Sequence, residues 1–286
     1  MLVVSERRAC QVAEQPRSTQ RYRLRQRPEE QVLVARMLEL VRRHPRYGYR
    51  RIWALLRGEG WRVNRKRVYR LWRKEGLKVP RKGHKKRRLG CSENSCARFR
   101  AEHKDHVWAW DFIHDRSTSG GPLKWLSVID EFTRECLVLE VDRSLKAEDV
   151  KEELLGLFWQ RGAPEYIRSD NGPEFIARHL QRWLREAAVG PLYVEPGAPW
   201  ENGYAEGFQS RLRDELLNLE EFGSVREAKM LAESWRRDYN QYRPHSGLGY
   251  RTPSEFAAAC VAPGSGALRL PQHTHKERLT LITTGT

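Results

Sequence analysis

The sequence predicts an all-α domain followed by a larger mixed α/β domain. In residues 29–76, apolar residues recur at intervals of three and four, which is typical of amphipathic helices. From position 106, three apolar segments bounded by turn residues predict consecutive β-strands, and helical and strand patterns then alternate. The 286 residues are 39% apolar, which is enough to build a core in each domain.

Positive charge is concentrated in the first third of the chain. The formal net charge is +16. Residues 1–100 contain 30 Lys+Arg and 8 Asp+Glu, a net charge of +22, whereas residues 101–286 contain 23 and 29, a net charge of −6. This asymmetry favours a nucleic-acid partner over a basic surface that is merely solvated.

Membrane and secreted proteins are disfavoured as classes. The chain has no run of 18 apolar residues and no signal-peptide core at its start. Five cysteines at irregular spacing predict a reducing compartment, and with DNA as partner we expect a cytoplasmic, nucleoid-associated protein. A zinc site is not predicted, because the spacing of its candidate ligands fits no standard module; these are Cys91, Cys96, His103 and His106.

Five segments are predicted along the chain. Residues 1–28 form a short helix-turn-helix-like piece, broken at Gln15-Pro16, and residues 29–77 form a compact helical domain. A basic linker at 78–105, an α/β domain at 106–260 and a loosely ordered tail at 261–286 follow.

The helical domain is predicted to bind DNA. Pro45 ends its first helix, Tyr49–Glu59 forms the second, and Asn64 caps the third, Arg65–Glu75. In the third helix one side is apolar, and the basic side chains are left to face outward, as in a helix-turn-helix DNA binder. The predicted DNA contacts are Arg65, Lys66, Arg67 and Arg70, with Lys85, Lys86 and Arg87 in the linker. The alternatives are a structural bundle with a charged face and a solvated tether.

The α/β domain predicts a mixed five-stranded sheet with flanking helices. Three strands come first, HVWAWDFIHD, LKWLSVIDEF and RECLVLEVD, and their short connections make them antiparallel neighbours. EYIRS and PLYVE supply two further strands. The predicted helices are Ala147–Arg161, Pro173–Ala187, about 201–219 with Leu219 on its apolar face, and 224–242.

Three carboxylates are placed where folding alone does not require them. Asp111 interrupts an apolar strand, Asp170 follows a short strand and precedes an Asn-Gly turn, and Glu206 lies in the first turns of a helix. If they converge, they form a site for hard divalent cations, which prefer oxygen ligands. Each also has a structural alternative: an edge-strand acid paired with Arg, a turn residue, and a solvated helix residue.

Other polar residues are weaker candidates for the site. Asp115, Asp130 and Glu131 are interpreted as turn and salt-bridge acids. His114 and His245 have the chemistry of proton carriers, but their spacing does not require that role.

Long motifs in the chain resemble those of a known family. SDNGPEF contains Asp170, and ENGYAEGF contains Glu206, 36 positions after that aspartate. These two motifs and the ending YNQYRPHSGLGYRTPSEF resemble those of bacterial insertion-sequence transposases with a DDE, retroviral-integrase-like core. Within that group the chain resembles the downstream (orfB-type) product of transposases made from two overlapping frames. The resemblance covers roughly Ser5 to Ala258. One departure is Gly207, where the family usually has Ser.

The resemblance implies an RNase-H-like catalytic core and a DNA-joining activity. Asp111, Asp170 and Glu206 are the implied catalytic residues and ligands of two Mg²⁺ ions, for which Mn²⁺ should substitute. Such ions clamp the attacking and leaving oxygens of a phosphoryl transfer. Arg213, seven positions after Glu206, matches a family residue that contacts the terminal nucleotides.

The implied partners are the terminal inverted repeats of the element, its target DNA, further copies of the chain, and an upstream-frame product with a helix-turn-helix and a leucine zipper. Two other functions stay open: an RNase-H-like nuclease that does not join strands, and a non-catalytic DNA-binding regulator of the element.

We predict that residues 1–105 supply most of the non-specific DNA affinity. The reason is the charge of +22 against −6 in the two parts of the chain. The logarithm of the affinity should fall with the logarithm of the salt concentration by about 0.9 per phosphate contacted. Equal affinity and an equal salt slope for a fragment spanning 106–286 would contradict the prediction.

Overall fold

The computed structural model describes residues 4–22, 28–79, 99–169, 172, 177–193 and 203–260. The chain forms two compact units, Met1–Arg87 and Arg88–Thr286. The predictions for Asp170, for the linker residues Lys85, Lys86 and Arg87, and for the tail lie outside the described residues.

The first unit is helical, as the sequence predicts. Its helices are α1 (Glu6–Val12), α2 (Arg17–Gln20), α3 (Pro28–Arg43), α4 (Tyr49–Gly58) and α5 (Arg65–Lys74). The side chain of Asn64 caps α5 by accepting the Lys66 N–H at 2.8 Å, which confirms the predicted start of that helix. The core comprises Leu33, Met37, Leu40, Ile52, Leu56, Val68 and Leu71, all buried.

The second unit contains the predicted mixed sheet. Its strands are β1 (Val107–Arg116), β2 (Pro122–Asp130), β3 (Cys136–Asp142), β4 (Tyr166–Ser169) and β5 (Gly190–Tyr193), in the order β3-β2-β1-β4-β5. β1, β2 and β3 are antiparallel neighbours, whereas β4 runs parallel to β1 and β5 parallel to β4. This is an RNase-H-like sheet with β1 at its centre, so Asp111 does not lie on an edge strand.

Helices cover both faces of the sheet, because side chains alternate between the faces along each strand. Trp108 and Trp110 of β1 pack against α6 (Ala147–Arg161) and α7 (Arg178–Glu186). Ala109 and Ile113 pack on the other face against α8 (Gly203–Leu212) and α9 (Val225–Gln241). A last helix, α10 (Pro253–Ala259), follows. None of the helices in these described ranges is long and apolar enough to cross a membrane.

Two predicted helices differ from the structure. α7 begins at Arg178, and residues 173–176 of the predicted helix lie outside the described part of the chain. The helix predicted over 201–219 changes after α8 into a π-helical turn, Arg213–Leu217. The helix ends with that turn at Leu217, so Leu219 lies beyond its last residue and is not held to the apolar stripe. The prediction that Leu219 packs inward is therefore wrong, and its side chain is exposed.

Candidate functional site

Asp111 lies at the centre of the sheet, on the face that α8 covers. It stands between Ala109 and Ile113 in β1, so the strand directs all three side chains to the same face. The residue is half-buried, and its Oδ1 accepts the Phe112 N–H at 2.7 Å. Its backbone carbonyl accepts the Ser127 hydroxyl of β2 at 3.2 Å. The position of Asp111 is thus set by two neighbouring strands.

Helix α8 carries Glu206 onto that face. Ala205 and Phe208 are buried in the same apolar cluster as Ala109 of β1, and Glu206 itself is exposed. Gln209, one helical turn after Glu206, donates from Nε2 to the Phe112 carbonyl at 3.2 Å. The exposed side of this turn of α8 therefore lies alongside the segment of β1 that contains Asp111.

The end of strand β4 lies beside the same segment. β4 is parallel to β1, and its register pairs Ala109 with Arg168. Ser169 is the last residue of β4 and immediately precedes Asp170 in the sequence. The fold therefore brings together the elements that carry Asp111 and Glu206, and it brings the end of β4 to the same region.

Two of the three acids interpreted as turn and salt-bridge residues, Asp130 and Glu131, have such roles, whereas Asp115 lies in β1 and accepts the Arg116 N–H at 2.9 Å. Asp130 accepts the backbone N–H groups of Asp105, Phe132 and Thr133, at 3.0, 2.7 and 3.3 Å. Its burial raises the pKa of this carboxyl, and the three hydrogen bonds oppose that effect. Glu131 and Arg168 form an ion pair at 2.8 Å, with side chains that are 0% and 6% exposed. The positive charge at the end of β4 is therefore balanced by Glu131.

Arg213 begins the π-helical turn and is exposed. The alternative role for Arg213 is a surface salt bridge with Glu201 or Asp214. Among the described residues, which do not include Glu201, Arg213 makes no ion pair. The turn itself is held from the other side by Glu215, which binds the buried Arg243 in a bidentate pair at 2.6 and 2.7 Å. This buried pair fixes the backbone that presents Arg213.

Neither histidine proposed as a proton carrier has the geometry for it. His245 is buried, lies 3.1 Å from Arg243 Nη1 through its Nε2, and packs edge-on against the Tyr239 ring. His114 occupies β1 three residues after Asp111, so the strand directs it to the opposite face. The sequence showed the motif YNQYRPH but not the partner of its arginine, because Glu215 belongs to a turn whose π geometry has no periodic signal.

Known proteins resemble the chain over most of its length. Residues 101–199 and 187–253 each match a family described as Integrase core domain, and residues 28–85 match an HTH-like domain. An uncharacterized 31.7 kDa protein of insertion element IS407 from Burkholderia multivorans is 39% identical over 255 residues, which cover 89% of this chain and 91% of that protein. The transposase InsD for insertion element IS2A/D/F/H/I/K of Escherichia coli is 30% identical over 78% of this chain and 77% of its own length. The chain belongs to the insertion-element transposase family.

Two further similarities are weaker or less complete. An uncharacterized 39.2 kDa protein of insertion element IS476 from Xanthomonas euvesicatoria is 39% identical over 89% of this chain and 73% of its own length. A chain of the simian T-cell lymphotropic virus intasome, solved in complex with PP2A regulatory subunit B56 gamma, aligns with a TM-score of 0.47 at 15% identity. That alignment covers 66% of this chain and 63% of the viral one.

The basic residues of the HTH-like region differ in their exposure and in their ion-pair partners. Arg65, Lys66 and Arg70 are exposed on α5. Arg67 is only 26% exposed, because its Nε lies 3.4 Å from Glu30 Oε1 of α3, and Arg70 pairs with the same carboxylate. The prediction that all four side chains face outward is therefore wrong for Arg67, which Glu30 draws into the contact between α3 and α5.

A second cluster of side chains that could bind a metal joins the segment before β1 to the residue before β4. His103, His106 and Glu165 place their ligand atoms within 4.8 Å of one another. However, His106 Nδ1 accepts the Glu102 N–H at 3.0 Å, so the neutral ring carries its proton on Nε2, the atom facing Glu165. For Nε2 of His106 to bind a metal, the ring proton would have to lie on Nδ1, the atom that accepts the Glu102 N–H. This cluster therefore fits hydrogen bonding better than metal binding. The other two candidate zinc ligands, Cys91 and Cys96, lie outside the described residues.

We predict that Arg243→Met destabilises the protein by about 3–5 kcal/mol, because it leaves the Glu215 carboxylate buried without its bidentate partner. The matched control is Arg237→Met in the helix that precedes Arg243, where the arginine is 67% exposed and pairs with Glu233. Exposed pairs contribute about 0–1 kcal/mol. Urea denaturation measures both variants, and equal midpoints would contradict a stabilising role for the buried pair.

Proposed function

We propose that this chain is a DNA transposase that cleaves strands at the ends of its element and joins the freed 3′-hydroxyl to target DNA. Asp111, Asp170 and Glu206 are the proposed catalytic residues. The observation that carries the proposal is the packing of α8 on the face of β1 that contains Asp111, next to the end of β4. Membership of the insertion-element transposase family supports the substrate and the reaction class.

The donor atoms fit a divalent metal. All three proposed ligands are carboxylates, and Glu206 is exposed and makes no ion pair with the described residues, so the protein does not neutralise its charge. Arg168, a cation two residues before Asp170 in the sequence, is paired with Glu131. Two Mg²⁺ ions, or Mn²⁺ in their place, would offset the charge of the phosphodiester and lower the pKa of the attacking hydroxyl group.

The protein residues hold the reacting groups in place. The central strand and the Phe112 N–H fix Asp111, and the hydrogen bond from Gln209 to β1 fixes the turn of α8 that carries Glu206. Arg213 is proposed to hold the terminal phosphates of the element, two helical turns or about 10.5 Å along the axis from Glu206. Positioning of this kind accounts for a large part of phosphoryl-transfer catalysis.

The proposed division of labour follows the predicted segments. Residues 1–28 and the helical domain 29–77 bind the terminal inverted repeats, with Arg65, Lys66 and Arg70 on its surface, and the basic linker 78–105 adds Lys85, Lys86 and Arg87. The core, 106–260, acts on element ends and target DNA, and no role is proposed for 261–286. We propose that further copies of the chain, and an upstream-frame product, complete the assembly.

We predict that Asp111→Asn, Asp170→Asn and Glu206→Gln each abolish Mg²⁺-dependent cleavage and leave DNA binding intact. Each amide keeps the size of the side chain and removes the charge that a cation needs. The measurement is nicking of an oligonucleotide duplex that carries the element end, with detection of joined products. Near-normal nicking by one variant would remove that residue from the site. Cleavage without joining in the wild type would favour a nuclease, and no cleavage would favour a DNA-binding regulator.

We predict that Arg213→Ala lowers the rate of end cleavage on the order of a hundredfold, the loss typical of a misplacement of about 1 Å. Its melting temperature should not change, because the side chain is exposed. Arg213→Lys should recover part of the rate, since it keeps the charge without the bidentate fork. Unchanged cleavage by Arg213→Ala would leave Arg213 as an ordinary surface residue.

A further inference from the structure

We propose that Arg134 and Arg211 form a second site for a DNA phosphodiester, on a side of helix α8 different from that of Glu206. The inference rests on the proposed function for the identity of the polyanion, and it assigns a role to two arginines that the family motifs quoted above do not include.

Tyr204, Gly207 and Arg211 form one stripe along α8, at steps of three and four residues. The Arg134 guanidinium, from the turn between β2 and β3, lies over the first of them, with its carbon 3.5 Å from the centre of the Tyr204 ring. Both arginines therefore border the same stripe. Glu206 lies one residue before Gly207, which places it about 100° around the helix from that glycine.

Gly207 makes room for the Arg211 side chain. A Cβ atom at position 207 would lie 3.1 Å from Arg211 Nη1, which is closer than an ordinary contact. The guanidinium therefore lies directly over the helix backbone at the one position of the stripe that has no side chain. Glycine lowers helix stability, and the space it leaves for the Arg211 guanidinium is a reason for its presence in the middle of α8.

Arg211 is half-buried and lacks a counter-ion among the described residues. Burial lowers the pKa of its guanidinium, and the positive charges of Arg243 and Arg134 lower it further, against the opposing effects of Tyr239 and Glu215. Both oxygens of Glu215 are already bound by Arg243. An incoming anion would supply the charge that the protein does not.

Arg134 is also left without a full set of partners. Its Nη1 is buried and makes no hydrogen bond within the described part of the chain. Its backbone has a φ of +66°, a conformation that favours Gly or Asn over arginine. The turn geometry therefore does not explain an arginine at this position, whereas a ligand for its charge would.

Guanidinium groups suit phosphodiester oxygens, which accept paired N–H donors. Arg213 lies on the side of α8 that carries Glu206, whereas Arg134 and Arg211 lie on a different side. A DNA strand at this second site would therefore contact cations other than Arg213.

The test is the salt dependence of DNA binding by the full chain, measured by fluorescence anisotropy with a duplex of about 30 base pairs. Arg134→Gln and Arg211→Gln should each reduce the salt slope by about 0.9, the value for one lost phosphate contact. The matched control is Arg226→Gln, which removes the same charge from an exposed position in the first turn of α9 and should leave the slope unchanged. Equal slopes for Arg134→Gln, Arg211→Gln and this control would overturn the proposal.

Gly207→Ala provides a variant that keeps every charge. Alanine favours the helix, but its Cβ would lie 3.1 Å from Arg211 Nη1 and shift the guanidinium, so the slope should fall by less than in Arg211→Gln while the melting temperature does not fall. An unchanged slope would overturn the positioning by Gly207. If the wild-type chain fails to cleave DNA while Arg134→Gln and Arg211→Gln still reduce the salt slope of its DNA binding, that result would support the phosphate site and contradict the proposed function.

Discussion

The structure of the second unit depends on strand β1, which is paired along both edges and covered on both faces. β2 binds one edge in antiparallel register and β4 the other in parallel register, while α6 and α8 cover the two faces. A strand in this position cannot shift by one residue without exchanging its buried side chains between the faces. The place of Asp111 is therefore fixed by the same register that buries Trp108, Trp110 and Ile113.

Elements with a clear hydrophobic period could be predicted from the sequence. Helix α6 has the predicted bounds, and the strands β1, β2 and β3 follow the predicted segments, because alternation and helical spacing record which face each residue buries. The N-cap of α5 was also predicted, because a short polar side chain before a helix has a specific local function. The motifs indicated the order of the acids along the chain, and the fold brings the elements carrying two of them into contact.

Features that depend on contacts between distant residues could not be predicted. The π-helical turn at Arg213–Leu217 has no periodic signature, and its buried partner, Arg243, lies 28 residues from Glu215. Arg67 was misplaced for a similar reason, since its burial depends on Glu30 in another helix. The cations bordering α8 were missed because Arg134 is distant in sequence, and Gly207 appeared only as a departure from the family pattern.

The separation between contacting residues also sets the order in which the site can form. The hydrogen bond from Gln209 to Phe112 joins residues 97 apart, and Asn240 binds the backbone of Cys136 across 104 residues. During synthesis, which proceeds from the N-terminus, the face of β1 with Ala109 and Ile113 has no covering helix until α8 and α9 leave the ribosome. The helical unit is complete long before that, with its basic surface already formed. The two units therefore complete their cores at different stages of synthesis, and the unit that contains Asp111 and Glu206 is the later one.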